Sequence, residues 1–180
     1  MKVLVVIDMQ NDFINGSLGT PEAQAIVPNV EAKVREYAND PEAVILYTRD
    51  THYEDYMETF EGQHLPVPHC IESSPGWQIH SSVFIDNGNV DIANKETFGY
   101  WDIAGMIRRS VFSHFETHDI DQIEICGLCT DICVISNALI IKSHYDDIPI
   151  IVDSSCCAGV TPEKHEAALE VMRSCQIEVI

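Results

Sequence analysis

The stretch QIEICGLCTDICVISNALIIKSH, residues 122–144, decides the fold of this chain. Residues 122–126 form a short run rich in β-branched side chains, as expected of a strand covered on both faces. From Asp131 to His144 the spacing turns helical, with Val134, Ala138 and Ile141 recurring at helical intervals. The segment from Cys126 to Cys133 therefore joins a strand to a helix. The same alternation continues outward. Residues 3–7, 43–47 and 148–152 are continuous apolar runs, and residues 23–37, 101–115 and 162–174 carry helical spacing. Pro162 followed by Glu163 suits a first helical turn, where a missing N–H costs nothing. Residues 177–180 offer one more edge strand. Strand–helix alternation of this kind predicts a three-layer, Rossmann-like α/β fold with a central, mainly parallel sheet flanked by helices.

Residues 51–94 break the rhythm, with little periodicity and many Gly, Pro, His and acidic residues. A loop that long inside a compact domain is more often functional than idle. No internal repeat, low-complexity tract or linker divides the chain, so residues 1–180 are read as one domain.

A hydrophobic fraction of 46% against 22% charged is ordinary for a globular chain and argues against disorder. No stretch is long and apolar enough to span a bilayer. The run at 3–7 is too short for a signal-peptide core, and Asp8 follows it directly. With 10 Lys+Arg against 29 Asp+Glu, the net charge is −19. Such a surface repels phosphate backbones and anionic lipid, which leaves a small molecule as partner rather than nucleic acid or membrane. A homo-oligomer stays open, because no interface signature stands out. The cysteines number seven. An odd count without a secretory signal points to a reducing, cytoplasmic setting. Several lie inside apolar runs, where Cys acts as a small hydrophobe.

Three groups of residues carry possible chemistry. Cys126 and Cys129 are spaced as a redox or metal C-x-x-C pair, but Cys126 ends an apolar strand and no second such pair exists. The segment is open to two further readings. One is packing of small residues. In the other, Cys133 sits in the first turn of a helix capped by Thr130 or Asp131, where the helix dipole lowers a thiol pKa. Asp8 directly follows an apolar strand; its bland role is to cap the next turn, which Asp12 fits better. Lys95, in NKETFGY, has ordinary solvation as its alternative. The third group is Asp50 and His52, at i and i+2, with His69 delivered by the later loop. Such a mixed N/O set suits zinc, iron or manganese, although many His-rich loops bind nothing. In an open α/β sheet, ligands bind outside the carboxyl ends of the strands. Asp8, Asp50 and the 127–133 segment follow strands in this way, and Lys95 is expected in the irregular region before a helix. These residues therefore have a common rim to meet on.

Taken together, VIDMQNDF (6–13), TRDTH (48–52), PHC (68–70), NKETFG (94–99) and GLCTDICV (127–134) resemble, in that order, the isochorismatase-like cysteine hydrolases, and among them the nicotinamidases. The resemblance spans nearly the whole chain. It implies a triad in which Cys133 attacks a carbonyl, Asp8 moves the proton, and Lys95 is a fixed positive charge between them. It also implies a cis peptide at Leu128–Cys129, with the backbone amides of Cys129 and Cys133 as oxyanion donors. Asp50, His52 and His69 would hold a divalent metal that receives a pyridine nitrogen, zinc first, with iron or manganese as alternatives. Glu58 is the expected fourth ligand, with Glu61 or His64 as replacements because the stretch from 58 to 69 is long. Phe13 and Phe98 would sandwich a flat ring, with Trp101 nearby, unless they are ordinary core. The implied reaction is nicotinamide to nicotinate and ammonia through an acyl-enzyme. Its rivals are hydrolysis of another small substrate (a vinyl ether or a carbamoyl compound) and a non-catalytic metal- or thiol-binding module. The adjacent Cys156 and Cys157 keep that last alternative in view.

Overall fold

The computed structural model describes residues 1–115 and 119–180. Along the chain run β1 (Lys2–Ile7), α1 (Asn11–Ile14), α2 (Pro21–Ala38), β2 (Ala43–Asp50), a 3-10 turn (Tyr56–Glu58) and α3 (Phe60–His64). Then follow β3 (Val90–Lys95), α4 (Ile103–His114), β4 (Gln122–Leu128), a π turn (Thr130–Val134) and α5 (Ile135–His144). The chain closes with β5 (Ile150–Ala158), α6 (Pro162–Ser174) and β6 (Glu178–Val179). The six strands form one parallel sheet in the order β3-β2-β1-β4-β5-β6.

The apolar runs become strands because both faces of the sheet are covered: Val3 to Ile7, Ala43 to Tyr47, Ile123 and Ile125 are all buried. Helix α2 packs across β2, β4 and β5, while α4 packs on β2 and β3 and continues through α5 to α6. Right-handed crossovers place α2 on one face and the chain from α4 to α6 on the other, which gives three layers. Helices α2 and α6 start alike. Thr20 Oγ1 accepts from the Ala23 N–H at 3.0 Å and Thr161 Oγ1 from the Lys164 N–H at 3.3 Å, each with proline next in sequence.

Two expectations change. Lys95 is not in an irregular region; it ends β3, directly opposite Asp50 of β2 in the parallel register. Cys133 lies in a π turn that leads into α5, not in an α-helical first turn, and neither Thr130 nor Asp131 caps it. Both side chains instead reach toward α6: the Thr130 hydroxyl meets His165 Nδ1 at 2.8 Å, and Asp131 Oδ1 accepts from the Val160 N–H at 2.9 Å. The chain winds outward from β1 to β2 and, after returning, from β4 to β5, so the strand order reverses between β1 and β4. A crevice opens there at the carboxyl ends. Gly127, at φ +122°, keeps that crevice tight, because a Cβ would lie 2.0 Å from the Ile7 carbonyl oxygen.

Candidate active site

Four strand ends deliver the polar residues. Asp8 follows β1, Asp50 ends β2, Lys95 ends β3, and the Cys129 to Cys133 turn follows β4. Lys95 Nζ stands 2.7 Å from Asp8 Oδ2, 3.1 Å from Asp50 Oδ1 and 3.6 Å from Cys133 Sγ. All four residues are buried. Asp8 Oδ2 accepts no aligned hydrogen bond among the described residues, so it faces the ammonium as an ion pair. Its other oxygen is fixed by Thr48, the first residue of the TRDTH stretch, to which the sequence alone assigns no role. The Thr48 hydroxyl donates to Asp8 Oδ1 at 2.6 Å and accepts from the Asp8 N–H at 3.1 Å. Asp8 needs that grip, since its φ of +46° is unusual for a residue with a Cβ.

The electrostatics follow from burial. Asp8 is pushed above the usual carboxylate range by desolvation, which outweighs the Lys95 ammonium. Desolvation opposes the charge on Lys95 too, yet Asp8, Cys133 and Asp50 together hold its pKa well above the ordinary value. The Cys133 thiol is raised, first by burial, with Lys95 acting against the shift. The Cys133 thiol thus lies beside a carboxylate whose proton affinity burial raises and an ammonium that favours the thiolate form.

A second cluster shares Asp50. Its Oδ2 lies 3.0 Å from His52 Nε2 and 3.5 Å from His69 Nε2, and Glu61 Oε1 lies 3.7 Å from each of those nitrogens. The ligand atoms of Asp50, His52, Glu61 and His69 all fall within 4.8 Å of one another. Glu61, in α3, occupies the fourth position; Glu58 is exposed in the preceding 3-10 turn and is not in the cluster. His64 is turned to its own helix, its Nδ1 2.8 Å from the Phe60 carbonyl. Nδ1 of His69 donates to the Val67 carbonyl at 2.8 Å, which points Nε2 at the cluster. Two imidazoles and two carboxylates converging in a buried pocket fit a divalent ion of the zinc, iron or manganese type. Tyr56 packs edge-on against both rings, 4.7 Å from His52 and 5.1 Å from His69 between centroids. The Asp50 carboxyl would be raised by burial, but the Lys95 ammonium and hydrogen bonds from the two histidines hold it well below the usual range.

Further groups steady this frame. Gln10, fully buried, brackets the backbone of Asp50: its Oε1 accepts from the Asp50 N–H at 2.7 Å and its Nε2 donates to the Asp50 carbonyl at 2.8 Å. Asp12 Oδ2 accepts from the Cys70 N–H at 2.8 Å and so braces the loop next to His69. The sequence signal for both was their place in the VIDMQNDF stretch, without any hint of their partners.

Both clusters open into one cavity of about 730 Å³ whose lining includes Phe13, Phe98, Glu61, His69, Cys129 and Cys133. Phe13 lies 5.5 Å from the His69 ring. Phe98 is half exposed on the loop after Lys95, while Trp101 is farther out and largely exposed. The Leu128–Cys129 peptide is cis, and the Cys129 amide donates to no backbone carbonyl among the described residues. Cys126 is buried in the core, whereas Cys129 lines the cavity, so the C-x-x-C pair does not face one ligand. All seven cysteines are free thiols.

Comparison with known proteins follows the same lines. A family model described as the isochorismatase domain matches residues 2–180. The nicotinamidase/pyrazinamidase of Mycobacterium tuberculosis is 25% identical over 195 residues, covering 100% of this chain and 98% of that protein. The crystal structure of the pyrazinamidase of Pyrococcus horikoshii in complex with zinc superposes with a TM-score of 0.79 at 28% identity, covering 99% of this chain and 98% of that one. The N-carbamoylsarcosine amidase from Thermoplasma acidophilum does so at 0.76 and 26%, covering 99% and 94%. No helix among the described residues is long and apolar enough to cross a membrane.

Proposed function

Because the chain belongs to the isochorismatase family of hydrolases, we propose that it hydrolyses nicotinamide to nicotinate and ammonia through a thioester on Cys133. The observation that carries this reading is the double use of Asp50. One carboxylate oxygen faces Lys95 and the other faces the two histidines, so the nucleophile and the metal-type cluster form one site. The similarity to a zinc-bound pyrazinamidase and to a nicotinamidase/pyrazinamidase supports the same substrate class.

Asp50, His52, Glu61 and His69 would hold a divalent cation, zinc first, which when bound would supply a Lewis acid for the ring nitrogen. Phe13 and Phe98 flank the ring. Cys133 Sγ attacks the carboxamide carbon while its proton passes to Asp8. The negative oxygen that develops is met by the N–H groups of Cys129 and Cys133. Asp8 returns the proton to the departing nitrogen, so ammonia leaves and the acyl group stays on sulfur. A water then adds to the thioester as Asp8 takes one of its protons; the tetrahedral adduct breaks its C–S bond, that proton returns to the Cys133 sulfur, and the released acid gives its remaining proton to the medium to become nicotinate. Lys95 keeps its proton throughout and balances the charge that moves between Asp8 and Cys133. The whole cycle is hydrolysis, with no change of oxidation state.

The likeness to an N-carbamoylsarcosine amidase favours a carbamoyl substrate as the second reading. Ammonia release from nicotinamide, assayed for wild type and Cys133→Ala with and without chelator, separates the two. The proposal expects release that requires Cys133 and fades on chelation. A metal-replete wild type inert toward nicotinamide but active on N-carbamoyl compounds would overturn it.

A further inference from the structure

Asn137 is a fully buried polar side chain that the triad and the metal cluster do not use. It projects from α5, and its amide has three partners. Nδ2 donates to the Cys133 carbonyl at 2.8 Å and to the Phe98 carbonyl at 3.1 Å, while Oδ1 accepts from the Tyr100 N–H at 2.8 Å. The partners fix the orientation of the amide, because the flipped form would set its oxygen against two carbonyls. One side chain thus ties the nucleophile's turn to the loop that carries Phe98 into the cavity. We infer that Asn137 is a positioning residue that holds Phe98 over the substrate and so sets how tightly the ring is bound. This inference rests on the substrate reading above.

The two ends of the tie are not equally dependent on it. The Cys133 turn has other anchors: Ile132 and Val134 N–H groups both donate to the Cys129 carbonyl, at 3.0 and 3.1 Å, and Cys133 and Val134 are packed in the core. The loop has few. Among the described residues, the other bonds between Lys95 and Tyr100 are Thr97 Oγ1 to the Gly99 carbonyl, internal to the loop, and a long 3.4 Å contact from the Tyr53 hydroxyl to Glu96. The loop also lies close on α5 at Gly99, where a Cβ would come within 2.8 Å of Ile140 Cδ1 and 3.2 Å of Ser136 Cβ. Asn137 and Gly99 are therefore two halves of one apposition. Loss of either frees Phe98 before it disturbs the thiol.

Steady-state kinetics on nicotinamide with the metal-replete full chain test this, using Asn137→Ala, Phe98→Ala and the double variant. Asn137→Ala is expected to raise KM by about tenfold, the size of one lost buried hydrogen bond, with kcat changed by less than about threefold. In the Phe98→Ala background the same change should leave KM nearly unmoved, because its effect passes through that ring. Iodoacetamide labelling of Cys133 should keep its rate. Gly99→Val, made from the loop side, should reproduce the KM rise and serves if Asn137→Ala folds poorly. Additive KM effects, or a fall in kcat and labelling at constant KM, would overturn the inference. A wild type inert toward nicotinamide would instead sink the substrate reading and this inference with it.

Discussion

Thr48→Val removes the hydroxyl that orients Asp8 while preserving side-chain shape. The hydroxyl's 2.6 Å bond to a buried carboxylate is charge-assisted, and its 3.1 Å bond from the Asp8 N–H satisfies a donor with no solvent to turn to. A bond to a charged group contributes about 1.5–3 kcal/mol, and an abandoned buried donor costs about 1–3 kcal/mol. The two effects overlap, so a loss near 3 kcal/mol is expected. At this chain length each kcal/mol moves Tm by roughly 2–4 °C, which places the variant about 6–12 °C below wild type. Activity should fall as well, on the order of 10- to 100-fold in kcat/KM, because the proton acceptor is no longer aimed. Since the lost donor stabilised the ionised carboxylate, the already raised Asp8 pKa rises further, and the acid limb of kcat/KM moves to higher pH. Thr48→Ser should restore most of both properties. Calorimetry with pH-rate profiles reads all three effects. A Thr48→Val variant within about 1 kcal/mol of wild type, with an unmoved acid limb, would refute the role assigned to Thr48.

Three further outcomes follow from the same geometry. Glu61→Gln should weaken zinc retention against a competing chelator by at least the roughly 10- to 100-fold carried by partners one step removed from a metal, while Glu58→Gln leaves it unchanged. Lys95→Met strands the buried carboxylates of Asp8 and Asp50 without their cation; urea unfolding should show a loss of about 3–5 kcal/mol, with slowed alkylation of Cys133. Far from the site, burial would raise the Asp153 carboxyl, but hydrogen bonds from Ser155 and Lys33 hold it below its ordinary value. Its contribution is complete above the unfolded value of about 4 and disappears as pH falls through the lowered value, so Asp153→Asn should flatten the acid limb of stability in a urea series.

How much of this was legible depends on where each residue sits in the sheet. β1, β2, β4 and β5 read as strands because burial on both faces demands uninterrupted apolar runs. β3 escaped because it is an edge strand: Val90–Lys95 alternates partly exposed and buried positions, and its polar residues look like loop. β2, an interior strand, seemed to stop at Tyr47 because the residues that continue it, Thr48, Arg49 and Asp50, are polar although Thr48 and Asp50 are buried. The spacing of Asp50 and His52 was readable because side chains two apart in extended backbone share a face. Glu61 was not separable from Glu58, since that choice depends on how a 3-10 turn and a short helix fold back over the histidines. Thr48 carried only its place at the head of the TRDTH stretch, and Asn137 no local signal. Their importance lies in partners 40 and 39 residues away, respectively.

The central claim, that Cys133 becomes acylated, is tested most directly by rapid quench of wild type with nicotinamide followed by peptide mass analysis. A nicotinoyl group is expected on the Cys133 peptide at early times, lost as nicotinate appears and absent in Cys133→Ala. Turnover without such an adduct in Cys133→Ala, or an adduct carried by Cys129 instead, would contradict it.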